Sequence, residues 1–141
     1  MKSREATMEA VYHLRLERGE DILATLTSFC AEKHIGSAHI VAIGAAENAS
    51  VGAYLLQEKK YINTVYSGIW EVCSLSGNVA VVDGSPFIHA HVVISNEKNE
   101  TVGGHLFGGV VGVTLEVTIT TYAQVMTRTL DDTIGLKLIE P

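Results

Sequence analysis

Three of the chain's six histidines fall within residues 89–105. They lie in Pro86-Phe87-Ile88-His89-Ala90-His91 and Gly103-Gly104-His105-Leu106. A His-x-His pair in an apolar run is the spacing a β-strand needs to aim two imidazoles at one face. Two glycines before the third histidine leave room for close backbone approach. Imidazole is the commonest protein ligand for zinc and related metals. Three such ligands with an open position suit a site that polarises an oxygen ligand or lowers the pKa of water.

The elements around them fix the geometry. Ile88–Ser95 reads as a strand, Asn96-Glu97-Lys98-Asn99-Glu100 as a polar turn, and Thr101–Phe107 as the returning strand. Centring the hairpin on Lys98 sets His91 opposite His105, and opposed residues share a face. His89, His91 and His105 then form a triangle. Ile88, Ala90, Val92 and Ile94 point into the core, and Phe107 shares the histidine face. A register shift of one residue would send His105 to the far side. A metal-bound histidine usually needs an acceptor for its other ring nitrogen. Glu116, on the polar face of the next strand, is a candidate, as are Glu71 and Glu47. The same carboxylates are candidate general bases if the site is catalytic.

The remaining chemistry is quickly bounded. The chain has 141 residues, the size of one domain, with 47% hydrophobic and 18% charged residues. No apolar run is long enough to span a bilayer, and Met1-Lys2-Ser3-Arg4-Glu5 leads into no signal-like apolar stretch. Cys30 and Cys73 form neither a Cys-x-x-Cys knuckle nor a disulfide framework, so they read as reduced thiols in a cytoplasmic protein. A net charge of −6 opposes a broad nucleic-acid-binding surface. There is no phosphate-binding loop, dinucleotide fingerprint or nucleophile elbow.

Val11–Leu16 reads as a first strand. Ile22, Leu23, Leu26, Phe29 and Cys30 recur at helical spacing, which predicts one main amphipathic helix over 20–34. His39–Ile43, Ser50–Leu56, Tyr61–Tyr66, Ile69–Leu75 and Asn78–Val82 read as separate short strands, with a turn at Ser76-Gly77. Gly108-Gly109 and Gly112 predict a bend or bulge. Alternation from Val113 to Thr120 predicts an antiparallel strand. Tyr122–Leu130 and Leu136–Ile139 read as closing segments around a turn at Asp131-Asp132. The fold class expected is α+β: one domain over residues 1–141, a mostly antiparallel central sheet, one main helix and a further short helical turn. Exposed strand edges make oligomerisation the expected way to cover them.

At these residues the chain resembles the plants-and-prokaryotes-conserved (PPC) domain family. Glu71-Val72-Cys73-Ser74-Leu75-Ser76-Gly77 resembles its E-x-x-S-L-S-G segment. Asp83-Gly84-Ser85-Pro86-Phe87-Ile88-His89-Ala90-His91 resembles its D-G-x-P-x-x-H-x-H strand. Val102-Gly103-Gly104-His105-Leu106 matches its G-G-H-L turn, and Thr114-Leu115-Glu116-Val117 the strand after it. Ile43-Gly44-Ala45-Ala46, Tyr54 and Tyr61 fit positions common there, and the likeness runs over residues 11–122. The resemblance implies a homotrimer whose histidines hold zinc or another divalent metal, with a regulatory role or a small-molecule ligand at the metal. The alternatives are a metal-dependent, hydrolase-like enzyme using a metal-bound water and a DNA-associated protein. Plant members carry AT-hook segments that bind DNA; this chain has no Arg-Gly-Arg-Pro core and an acidic net charge, both of which weigh against direct DNA binding.

Overall fold

The computed structural model describes residues 1–140. Its elements are β1 (Met8–Glu17), α1 (Ile22–Glu32), β2 (Ala38–Leu55), β3 (Lys60–Val82), β4 (Ser85–Ser95), β5 (Thr101–Tyr122), β6 (Thr127–Asp131) and β7 (Leu136–Glu140). All seven strands join one sheet. It is antiparallel except where β6 meets β3 in parallel at Thr127 and Val81. The mostly antiparallel sheet and single main helix are as expected, but the protein is predominantly β, which corrects the α+β class. Among the described residues α1 is the only helix, so the further helical turn is absent.

The expected short strands merge. His39–Ile43 and Ser50–Leu56 fall at the two ends of β2, which stops at Leu55, and the three segments between Tyr61 and Val82 are all β3. Register shifts near Gly44 and Asn48 bend this long hairpin without breaking it. Ser76-Gly77 is not a turn: Ser76 pairs with both Val41 and His91 in mid-sheet. Turn-forming composition lost here to pairing on both edges. Gly77 serves close approach instead, since a Cβ there would lie 2.6 Å from the His89 carbonyl oxygen.

Strands β3 and β5 each pair with both β2 and β4, so these four strands close into a ring. The N-terminal end of β5 meets β4, and its C-terminal end meets β1. Such long strands can serve several neighbours only by bending. Register shifts opposite Gly108 and between Val111 and Leu115 supply the bend where the glycines predicted one.

Helix α1 packs against β4 and β5. The Asp21 carboxylate accepts from the Ala24 N–H at 2.8 Å and caps its first turn. His34, at φ 55°, ends the helix, and the Ile35 N–H donates back to the Cys30 carbonyl. Ile22, Leu26 and Cys30 form the buried face of the helix and share one core cluster with Ile40, Leu75, Ile94, Leu115 and Ile119. Burying each large aliphatic side chain stabilises the fold by roughly 1.5–3 kcal/mol. The same alternation sends every second residue of β4 and β5 outward, and that outer face carries the histidines. Among the described residues no helix is long and apolar enough to cross a membrane.

Candidate metal centre

Period-2 alternation divides β4 cleanly. Ile88, Ala90, Val92 and Ile94 are buried, while His89 is half-buried and His91 exposed. The polar turn leaves Ser95 opposite Thr101, and His91 then falls opposite His105. This is the register centred on Lys98. The three rings form a near-equilateral triangle, with centroids 5.2 Å (89–91), 5.1 Å (89–105) and 5.5 Å (91–105) apart. One nitrogen from each ring lies within 4.8 Å of the others.

Glycines let β5, β2 and β3 approach closely beside the site. A Cβ on Gly104 would lie 2.4 Å from the Gly52 carbonyl oxygen, and one on Gly52 would lie 1.9 Å from the Ile62 carbonyl oxygen. Gly52 is the β2 partner of His105. The ring of Tyr61 sits 5.0 Å from His105 and 5.1 Å from Phe107, and Phe107 lies 4.6 Å from His105. Phe107 thus walls the site as its parity suggested, and Tyr54 backs Tyr61 at 4.9 Å.

The sequence did not reveal Arg128. It comes from β6, which crosses beside β3. Its Nη2 donates to the Asn78 Oδ1 at 2.8 Å and lies 3.1 Å from the His89 Nδ1. Nη1 donates to the Lys137 carbonyl at 3.0 Å. A guanidinium can only donate, so the His89 Nδ1 accepts and the neutral ring carries its proton on Nε2. No motif marks this arginine, 23 residues beyond His105; only the pairing of β6 brings it in.

The electrostatics favour neutral imidazoles. Burial first, then the Arg128 guanidinium and the other two rings, lower the His89 pKa to about 4. Burial and the neighbouring His91 and Arg128 also lower that of His105. Burial lowers the Arg128 pKa, opposed by Tyr61. Neutral histidine is the form that ligates metal. The buried Nδ1 of His105 has no hydrogen-bond partner among the described residues. Such an orphaned polar atom, beside two more imidazoles, fits a site built for a bound ion.

Glu71, Glu116 and Glu47 lie elsewhere. Glu71 and Glu116 line one groove with Ile43, Gly44, Val72, Cys73 and Thr114. Glu47 sits between Ile69 and Val110. None of the three hydrogen-bonds to a site histidine among the described residues. Cys30 is buried and Cys73 exposed, and both are free thiols.

An outward histidine triangle on a ring of bent antiparallel strands defines a small β-protein with a candidate metal centre. The chain belongs to the Plants and Prokaryotes Conserved (PCC) domain family, whose model matches residues 3–123. It is similar to a plant- and prokaryote-conserved (PPC) protein from Pyrococcus horikoshii, at 33% identity over 100% of this chain and 98% of that one, with a TM-score of 0.93. It is also similar to a metal-containing protein from Archaeoglobus fulgidus, at 36% identity over 100% of both chains, with a TM-score of 0.94. A protein from Ralstonia eutropha named as a candidate DNA-binding protein shares 30% identity over 92% of this chain and 90% of that one, with a TM-score of 0.85. No curated protein matches the chain.

Proposed function

We propose that this chain is a metal-binding PCC-domain protein in which His89, His91 and His105 hold one divalent ion, zinc in the first instance. The observation that carries the reading is the triangle itself: three imidazole nitrogens within 4.8 Å of one another on three fixed backbone positions. The orphaned His105 Nδ1 and the metal-containing Archaeoglobus relative support it. A divalent ion held there supplies Lewis acidity toward an oxygen ligand. The chain supplies neutral ligands, an aromatic wall of Tyr61 and Phe107, and a neighbouring guanidinium.

The role this favours is a binding or regulatory module with a small ligand at the metal. A hydrolase-like enzyme needs a general base within reach of the ion, and the candidate carboxylates Glu71 and Glu116 line a different groove. Direct DNA binding is disfavoured by the net charge of −6. Assembly as a homotrimer is part of the proposal, supported by exposed apolar Val41, Ile43, Ile69 and Val113. Two free thiols suit a cytoplasmic setting. The test is zinc-dependent thermal unfolding of the wild type beside His89→Ala, His91→Ala and His105→Ala. Zinc should raise the wild-type midpoint and leave each variant's nearly unmoved. An equal rise in all four proteins would place the ion elsewhere.

A further inference from the structure

We propose that Arg128 is the anion receptor of the histidine site, and that the ligand taken there is a small carboxylate whose apolar body lies against Tyr61 and Phe107. The inference rests on the metal reading above and goes further by naming the ligand's chemistry.

Three observations carry it. First, Arg128 is half-buried and makes no ion pair among the described residues. Three of its five N–H groups are donated, to Asn78, His89 and Lys137. Among the described residues its buried Nε–H has no acceptor. A desolvated guanidinium with spare donors is suited to receive an anion.

Second, Arg128 and a metal ion compete for His89. Ligation through Nδ1 takes the lone pair that Arg128 now uses. Ligation through Nε2 moves the ring proton to Nδ1, where it would face the guanidinium N–H. By either route the contact breaks, and an Arg128 N–H is released beside the ion.

Third, the ligand set carries no negative charge. Three neutral imidazoles leave a divalent ion's charge intact, and the guanidinium adds another. A half-buried site of that charge needs an anion. A carboxylate offers one oxygen to the ion's open position and another to the guanidinium. Inorganic phosphate is the poorer match because it has no apolar body to lie against the aromatic wall beside Arg128, the one cationic side chain hydrogen-bonded to the triad among the described residues. The aromatic rings beside it, with Phe87 5.7 Å from the guanidinium carbon, suit an apolar body. Arg128 also lies outside residues 3–123, so this receptor belongs to the C-terminal β6–β7 hairpin rather than to the matched domain.

The test uses cobalt(II) as a visible probe on the full chain, with Arg128→Met and Arg128→Lys. Cobalt is titrated alone, then benzoate, neutral benzamide and inorganic phosphate are each titrated into the cobalt protein. Cobalt alone should bind Arg128→Met at least as tightly as wild type, because a competing donor and a repelling charge are gone. Benzoate should shift the cobalt band saturably in wild type and bind Arg128→Met about 10- to 100-fold more weakly. Benzamide should leave the band unmoved. If Arg128→Met fails to fold, Arg128→Lys decides, since an ammonium keeps the charge but lacks the planar fork; its benzoate affinity must still fall. Equal benzoate affinity in all folded variants overturns the proposal while leaving the metal reading intact. Phosphate binding more tightly than benzoate overturns the carboxylate assignment. No cobalt uptake by wild type overturns the metal reading and this proposal with it.

Discussion

Replacing Gly104 by alanine separates a site built on backbone approach from one built on side chains alone. A Cβ at Gly104 would meet the Gly52 carbonyl oxygen at 2.4 Å, whereas one at Gly103 would meet the Val92 carbonyl oxygen at 3.1 Å. An ordinary carbon–oxygen contact needs roughly 3.2 Å or more. Gly104→Ala must therefore push β5 and β2 apart by about 0.8 Å, against hydrogen-bonded backbone on both sides. Gly103→Ala requires only about a tenth of an ångström. Overpacking of the first kind costs about 1–3 kcal/mol, and the entropy that alanine removes from the unfolded chain returns about 0.4–1 kcal/mol. Net destabilisation of about 1–2 kcal/mol is expected for Gly104→Ala, and a change near zero for Gly103→Ala. Urea unfolding of the metal-free proteins, compared by midpoint at constant slope, measures both. Because Gly52 is the pairing partner of His105, zinc affinity should fall in the first variant and hold in the second. Gly104→Ala as stable as wild type, or Gly103→Ala the more damaging, would refute the reasoning.

Further outcomes follow from the same geometry. Unfolded His89 takes a proton near its ordinary 6.5, but the folded site resists it down to about 4. The unfolded state thus binds more protons between those values, and metal-free stability is lost as pH falls from about 6.5 to about 4. The full shift corresponds to about 3 kcal/mol, which partial exposure reduces to about 1–2 kcal/mol. Urea midpoints against pH should show a flatter acid limb in His89→Gln; identical limbs would contradict the assignment. Burial pushes the Cys30 thiol up to about 11 while Cys73 is exposed, so a thiol reagent should label one cysteine per native chain, at Cys73, and two after unfolding. Rapid labelling of Cys30 in the native protein would contradict the packing of α1. Asp21→Ala removes the helix cap and should cost about 1 kcal/mol in urea unfolding; no change would mean that water replaces the carboxylate.

The histidine hairpin was legible because two independent constraints agreed. Alternation in Ile88–Ser95 assigned the faces, and an odd-numbered polar turn set the register; His91 opposite His105 follows from both. The bend around Gly108–Gly112 and the helix near 20–34 were legible for similar reasons, as local backbone freedom and apolar period. Strand continuity was not. Ser76-Gly77 has turn composition, yet it is held in mid-strand by neighbours on both sides, and those neighbours are distant in sequence. The separate short strands of β2 and β3 failed for the same cause, since bulges bend a paired strand without ending it. The surroundings of the site were the least legible. A search for acceptors led to Glu116, Glu71 and Glu47, whereas the side chain that reaches His89 is Arg128, placed there by β6. Nothing in local pattern or spacing encodes that contact.

The central claim is that His89, His91 and His105 hold an ion, and metal analysis of the untagged protein tests it most directly. The protein would be loaded with zinc, dialysed and analysed for metal beside the His89→Ala/His91→Ala double variant. About one zinc per chain in the wild type and none in the variant is the predicted result. Equal metal in both proteins, or none in the folded wild type, would contradict the account.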